Sequence, residues 1–394
     1  MMLYTWMIFL VIFLGTELPI KTVAYRSFYP LKSSKPSIQC LNREHRPWSC
    51  RQPKMTLMEH NHYIPNQSVQ TKKEKRDLLR TIWNFSRPHT VIGSAISIVA
   101  LFMFASSPPL WASKLFLSAL CRAIIPSIFM NLYITGLNQV TDVEVDKINK
   151  PYLPLASGAL NYGEGIFLVV SSLILTVLTS WGAEWPLLCT LFGSFLLGTI
   201  YSLPPIRLKR FPLLAASCIL VVRGSLINLG FLWQAKKTLY NVDGGPLKLL
   251  SSFPESALVT LFFAIFGLVI AIMKDVPDIN GDKKFNIRTF SVRRGAPRMF
   301  KLSHNILNIL LSGASIINAG SLFLVLVSRG SMAGINILSS ALFSILMMSF
   351  ALYLRQRASM TNADNENEVF SYYMDVWKVF YGCYLSLPLI PSAT

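Results

Sequence analysis

The sequence predicts an all-α polytopic membrane protein, a bundle of about nine transmembrane helices. Three observations predict it. First, 52% of the 394 residues are hydrophobic and only 14% are charged, with a mean hydropathy of +0.46; a soluble domain usually carries about 25% charge. Second, nine apolar runs come close to the roughly 20 residues that span a bilayer. Any one of them could be a buried core helix, but the set leaves too little polar sequence to cover such a core with a wet surface. Third, the charge is unevenly placed. With nine crossings, one side receives the N-terminal segment and the connections after runs two, four, six and eight. That side holds Lys72, Lys73, Arg207, Lys209, Arg210, Lys283, Lys284, Arg293, Arg294 and Arg355, among others. The opposite side has chiefly Lys114, Lys236, Lys237, Lys248 and Arg329. This is the asymmetry of the positive-inside rule. It reads the net charge of +18 as membrane topology and excludes nucleic acid as the partner.

The elements follow in order. Residues 1–70 read as a transit segment without fixed structure: from residue 18 they are rich in Ser, Lys, Arg, Pro and Gln and poor in acids. The apolar "MMLYTWMIFLVIFLG" also admits a secretory or anchoring reading. Residues 71–88 read as an amphipathic interfacial helix, with Leu78, Leu79, Ile82, Trp83 and Phe85 on the membrane surface. The membrane domain is 89–394. Its runs lie at roughly 90–107, 115–137, 163–181, 184–203, 211–233, 254–273, 303–327, 332–354 and 370–391. Cys121, Cys189, Cys218 and Cys383 fall within the runs and read as buried small hydrophobes.

Two acid clusters interrupt this pattern. "NQVTDVEVD" follows run two, and its Asn138, Asp142 and Asp146 recur every fourth residue, one helical stripe, with Gln139 beside it. "KDVPDINGD" follows run six and sets Asp275, Asp278 and Asp282 on one face, where Pro277 and Gly281 would loosen or end the helix. Both clusters end even-numbered runs, so both lie on the basic side. Crowded carboxylates repel one another unless a cation binds, and carboxylates at helix C-termini oppose the helix dipole. Such oxygen-rich clusters suit Mg²⁺. Facing each other across a cavity, they can hold Mg²⁺ with a diphosphate between them. Lys147, Lys150, Lys274 and Arg207, Lys209 or Arg210 would take the remaining phosphate charge. Arg122 and Arg223 lie inside apolar runs, where a charge needs a cavity or a partner. Arg122 is expected to pair within the bundle, and Arg223 to line the cavity with Asn228 or to pair structurally. His89 opens run one and reads as an interfacial cap.

The two motifs, in this order and with this helix spacing, resemble the UbiA superfamily of intramembrane prenyltransferases. "FSRPHTVIG", "KINKPYLPLASG", "YSLPPIRLKR" and "FSVRRG" are similar to the plant homogentisate phytyltransferase branch and its derived aromatic prenyltransferases. The resemblance runs from about Asn84 to Ile390. It implies a helical bundle around a central cavity open sideways to lipid, in a plastid membrane. It also implies an allylic prenyl diphosphate bound through Mg²⁺, ionisation to an allylic cation, and attack by an aromatic phenolic acceptor. The catalytic and metal-holding residues would be Asn138, Asp142, Asp146, Asp275, Asp278 and Asp282. The substrate-binding residues would be Arg87, Gln139, Lys147, Lys150, Tyr201, Arg207, Lys209, Arg223 and Lys274. The sequence departs from the tocopherol-forming members at Thr141, Ala159, Asn280 and the tail "SLPLIPSAT".

Those departures favour a specialised phenolic acceptor, such as a coumarin, flavonoid, phenolic acid or phloroglucinol, and a dimethylallyl or geranyl donor. Bulky Ile128, Phe129, Met130 and Tyr133 on run two, and Phe262, Phe263 and Phe266 on run six, would cap a short prenyl groove. The alternative within the class is homogentisate with phytyl diphosphate. The alternative of another class is a membrane transporter or scaffold. A transporter would show polar sites at the midplane on broken helices, and has no need of two acid clusters on one side.

Overall fold

The structure is a computed structural model that describes residues 77–329 and 334–390. The transit segment, the apolar Met1–Gly15 run and residues 71–76 of the interfacial helix lie outside the described residues. Within them there are helices and no strand. In chain order the main helices are α1 Leu78–Phe85, α2 Pro88–Phe104, α3 Lys114–Thr141, α4 Val143–Asn149, α5 Tyr162–Thr179 and α6 Trp185–Ser202. There follow α7 Pro212–Leu220, a π-helical turn Val221–Leu226, α8 Ile227–Tyr240, α9 Glu255–Lys274, α10 Ile279–Lys284, α11 Ala296–Arg329, α12 Gly334–Ser359 and α13 Glu366–Ser386.

Each of the nine apolar runs becomes a helix, with α7, the π turn and α8 forming the fifth. Local chemistry sets several starts. Ser113 Oγ caps α3 by accepting from the Phe116 amide at 3.1 Å. Asn161 and Glu164 form a reciprocal capping box at α5. Among the described residues, seven helices are long and apolar enough to cross a membrane, or eight if α1 and α2, bent by 67°, count as one span. α13, the helix of the ninth apolar run, falls short of that measure. It carries Glu366, Glu368, Asp375 and Lys378, so its hydropathy is too low, yet most of it is buried by its neighbours. Asp375 is neutralised by Arg357 at 2.6 Å and Lys378 at 2.7 Å.

α13 supplies much of the core. Trp377, Phe380 and Tyr384 are sealed, and Tyr384 stacks on Phe263 of α9 with ring centres 3.6 Å apart. Outward faces such as Phe167, Leu178, Ile309 and Ile317 are apolar and exposed, as lipid contact requires. Arg122 is exposed on α3 and, among the described residues, makes no ion pair within the bundle. Cys121 is likewise exposed, while Cys218 and Cys383 are buried.

Leu78, Leu79 and Trp83 of α1 are exposed, but Phe85, expected beside them, is buried. Its ring enters the core, where Gly136 makes room; a Cβ there would stand 2.9 Å from the Phe85 ring.

Candidate active site

The two acid motifs meet at one end of the bundle because both parent helices break there. α3 stops at Thr141, Asp142 takes a non-helical conformation, and α4 restarts at Val143. The expected continuous stripe is therefore split at Asp142. α9 stops at Lys274, and α10 begins after Asp278, with Pro277 in the break. Gly281 does not end α10. It lets α10 approach α4: its amide donates to Asn149 Oδ1 at 2.8 Å, and a Cβ would collide with the same carboxamide.

The motifs line one open cavity. Asn138, Asp142, Asp146, Asp275, Asp278 and Asp282 all face it, as do Arg87, Lys150, Tyr201, Lys209 and Lys274. Four of the five aspartates carry a cation. Asp142 binds Arg207 and Lys209, each at 2.6 Å. Asp146 faces Arg87 at 3.8 Å, Asp275 faces Lys274 at 3.6 Å, and Asp278 pairs with Lys150 from the opposite motif. The fifth, Asp282, accepts from Asn149 Nδ2 at 3.4 Å. Lys274 also donates to Tyr201 Oη at 3.3 Å, and Arg87 to Asn138 Oδ1 at 3.3 Å.

Burial raises the Asp142 carboxyl, but Lys209 and Arg207 outweigh it and hold it below the ordinary value. Burial pushes Asp146 upward, with Lys150 and Arg87 opposing. Asp282 has no cation in contact; burial, then Asp278 and Asp275, push it up to about 7. Lys209 is lowered to about 8 by burial, with Asp142 opposing.

Four expected site residues do not line the cavity. Gln139 is buried behind α3 and donates to the Phe85 carbonyl at 2.6 Å. Lys147 is turned about 100° from Asp146 on α4 and pairs with Glu144 in solvent. Arg207 stands behind Asp142 and holds its carboxylate and the Thr141 carbonyl. Arg223 lies deeper, stacked on Trp377 with 4.8 Å to the ring centre. His89 does not end at an interface: its carbonyl accepts from Tyr381 Oη at 2.6 Å, and its ring meets Trp377 edge-on. Phe263 and Phe266, expected to cap a prenyl groove, pack into the aromatic core against Phe380. Ala215, Ala216 and Ile219 of α7 and Ala271 and Ile272 of α9 line the cavity instead.

Sequence reasoning missed Asn149, although it follows Asp146 by three residues and so shares its face. It also missed Thr289, Phe290 and Ser291, which close one side of the cavity and carry no charge to mark them.

The donor set tests a metal. Among the described residues no three carboxylate, His or Cys side chains converge on one metal-sized point. The buried Nε atom of Arg87, which lines the cavity, lacks a partner. Both observations fit an anion and Mg²⁺ arriving together. Mg²⁺ usually takes one or two carboxylates plus substrate phosphates, not an all-protein cage.

The chain is 39% identical over 322 residues to homogentisate phytyltransferase 1, chloroplastic, of Arabidopsis thaliana, covering 81% of this chain and 77% of the relative. It is 32% identical over 379 residues to coumarin 8-geranyltransferase 1, chloroplastic, of Citrus limon, covering 93% and 87%. A solved UbiA homolog from Archaeoglobus fulgidus, bound to GPP and Mg²⁺, shares the fold with a TM-score of 0.51 at 17% identity, over 77% of this chain and 99% of that one. The UbiA prenyltransferase family matches residues 94–374. The broken helices, the paired acid motifs and this match identify the chain as an aromatic prenyltransferase of the UbiA prenyltransferase family.

Proposed function

We propose that the protein transfers a prenyl group from an allylic diphosphate to a ring carbon of a phenolic acceptor, with Mg²⁺, in a plastid membrane. The observation that carries this reading is the convergence of Asp142, Asp146, Asp275, Asp278 and Asp282 with Lys150, Lys209, Lys274 and Arg87 around one cavity. Asp142, Asp146, Asp278 and Asp282 would hold Mg²⁺. When bound, Mg²⁺ neutralises charge on the leaving diphosphate. Arg87, Lys150, Lys209 and Lys274 exchange their carboxylate partners for phosphate oxygens. The allylic C–O bond breaks, diphosphate takes the electron pair, and the preorganised cations stabilise the growing negative charge. The phenolic ring attacks the allylic cation, a C–C bond forms, and the ring carbon loses its proton. Apolar walls keep out water, which would quench the cation to an alcohol.

Within this class, a long donor and homogentisate are now favoured over a short donor and a specialised phenolic. Greater identity to the homogentisate phytyltransferase than to the coumarin geranyltransferase supports this. So does the cavity wall: small Ala215, Ala216 and Ala271 leave room for a tail, while Phe263 and Phe266 are spent on core packing. The test is membranes containing the chain, Mg²⁺, and dimethylallyl, geranyl, geranylgeranyl and phytyl diphosphates crossed with homogentisate, a coumarin, a flavonoid and a phloroglucinol. The reading expects a mass-resolved C-prenyl product, greatest with homogentisate and a twenty-carbon donor. Geranyl transfer to the coumarin alone would restore the short-donor assignment. No product from any pair would refute the reaction.

A further inference from the structure

The segment between the second acid motif and α11 has two unlike faces. Its inner face closes the cavity with Ile287, Thr289, Phe290 and Ser291. Its outer face carries Lys283, Lys284, Arg288, Arg293 and Arg294, and the start of α11 adds Arg298 and Lys301, all of them exposed. Among the described residues none of these cations makes an ion pair. No Asp or Glu stands between Asp282 and Asp364 to balance them. The cavity cations differ, since Lys150, Lys209 and Lys274 each face a carboxylate. Uncompensated charge of one sign repels itself, and a bound anion relieves that cost.

α11 shows where this surface lies. Leu302, Ile309, Ile316 and Phe323 recur every seventh residue, two turns of helix, and all are exposed. That stripe faces lipid. Arg298 lies one turn before Leu302 on the same stripe, with Lys301 beside it. From Leu302 to Phe323 the helix rises roughly 32 Å, close to the ~30 Å thickness of a hydrocarbon core. Arg298 and Lys301 therefore come at the level of the headgroups. α12 agrees. Asn308 Nδ2 of α11 donates to the Ala351 carbonyl at 3.3 Å. Just beyond that contact α12 exposes Tyr353 and Arg355, the aromatic and basic residues of a membrane interface.

The outer face is coupled to the acid motif through the backbone. Asn286 takes a left-handed conformation with φ 59°, and the chain turns back so that the Ile287 amide donates to the Asp282 carbonyl at 2.8 Å. Thr289 Oγ1 then caps the short helix Phe290–Arg294 by accepting from the Val292 amide at 3.3 Å. Holding the outer face in place holds the inner face over the cavity.

We infer that the outer face of residues 283–301 binds anionic lipid headgroups, phosphate or sulfonate, and that this contact seats the wall formed by Ile287, Thr289 and Phe290. Unpaired cations at a leaflet surface select lipids with net negative charge over neutral ones. A soluble diphosphate is the other anion in reach. The lipid-facing stripe of α11 runs directly into the basic surface, and that continuity favours the lipid. The inference does not depend on the proposed prenyl transfer.

The test is limited trypsin cleavage of the purified full chain in nanodiscs of phosphatidylcholine, alone or mixed with phosphatidylglycerol. Cleavage is read at Lys283, Lys284 and Arg288. Exposed Lys248, in the connection before α9 at the other end of the bundle, is the internal reference. Arg288 lies between Ile287 and Thr289, so its protection reports the wall itself. With phosphatidylglycerol, cleavage at these sites should slow by about five-fold or more relative to Lys248, the weight of a single cation at an anionic surface. Added salt should reverse the protection, because it screens exposed charge. Arg293→Gln, Arg294→Gln, Arg298→Gln and Lys301→Gln together keep the three sites that are read. They should abolish the protection at an unchanged unfolding temperature. Equal relative cleavage of the unmodified chain in both nanodiscs would overturn the inference, whatever the variant does. So would protection that persists in the folded variant. Inorganic diphosphate giving the same protection in phosphatidylcholine alone would also overturn it, by making the segment a receiver of free phosphate anions.

Discussion

The Asn149 carboxamide oxygen accepts a hydrogen bond from the Gly281 amide at 2.8 Å, joining the helices that follow the two acid motifs. Asn149 Nδ2 reaches Asp282 at 3.4 Å from the same residue. One neutral side chain thus ties the two carboxylate clusters together, alongside the Lys150–Asp278 pair. Gly281→Ala places a methyl group against that carboxamide. It should lower kcat by about 10²-fold or more, the scale expected when a catalytic constellation is misplaced by about 1 Å. Asn149→Ala should do the same in part. Gly281→Ala at full turnover would show that the spacing is not set there.

Asp282 gives the metal requirement a pH dependence. Its carboxyl is held up at about 7 by burial and by Asp278 and Asp275. Below that pH it carries a proton and is a poor ligand; above it, it is charged. If Asp282 is a ligand, the Mg²⁺ concentration for half-maximal activity should rise about ten-fold from pH 8 to pH 6. Asp282→Asn should flatten the profile. Without metal the linkage has the opposite sense. The folded value lies above the ordinary 3.8, so the stability contributed by this proton is full below that ordinary value and is lost as pH rises through about 7. Thermal unfolding of the metal-free protein with pH measures this directly.

Gln139 should prove structural. Its Nε2 donates to the Phe85 carbonyl at 2.6 Å in a sealed site. Gln139→Ala leaves that buried carbonyl without its donor, at a cost of about 1–3 kcal/mol. Unfolding in detergent should shift accordingly, with KM for the diphosphate little changed. A large rise in that KM with unaltered stability would return Gln139 to the binding site.

Much of the site was legible because charge is rare in this sequence. Every aspartate of "NQVTDVEVD" and "KDVPDINGD" faces one cavity, and Lys150, Lys209 and Lys274 meet them there. The nine apolar runs appear as helices for the same reason, since hydropathy decides what enters lipid. What was illegible is direction. A one-residue offset on α4 turns Lys147 to solvent while Lys150 reaches Asp278. The break at Asp142 is local backbone, and hydropathy does not register it. α13 escaped the opposite way: Glu366 and Glu368 at its start and Asp375 and Lys378 at its middle lower its hydropathy, yet Tyr372, Trp377 and Phe380 make it central. Phe263 and Phe266 were assigned to the prenyl groove by depth alone, and the partner that claims them, Phe380, lies more than a hundred residues away.

The alanine wall predicts how donor length is controlled. Ala216 on α7 faces the cavity beside Ala271 on α9. Ala216→Phe should fill the space a tail needs and lower kcat/KM for a twenty-carbon donor by ten-fold or more relative to dimethylallyl diphosphate, since each buried CH₂ contributes about 0.8 kcal/mol. A donor panel reads the ratio. An unchanged ratio would mean that the tail takes another path.

The central claim is that both acid motifs act together on one diphosphate. The most direct measurement is kcat for Asp142→Asn and Asp278→Asn, one from each motif, at saturating donor and acceptor with Mg²⁺ titrated. Both substitutions keep volume and remove charge. The account predicts that each lowers kcat by about 10²–10³-fold, that excess Mg²⁺ does not restore it, and that chelation abolishes turnover of the unmodified enzyme. Turnover within ten-fold of the unmodified enzyme in either variant would contradict it.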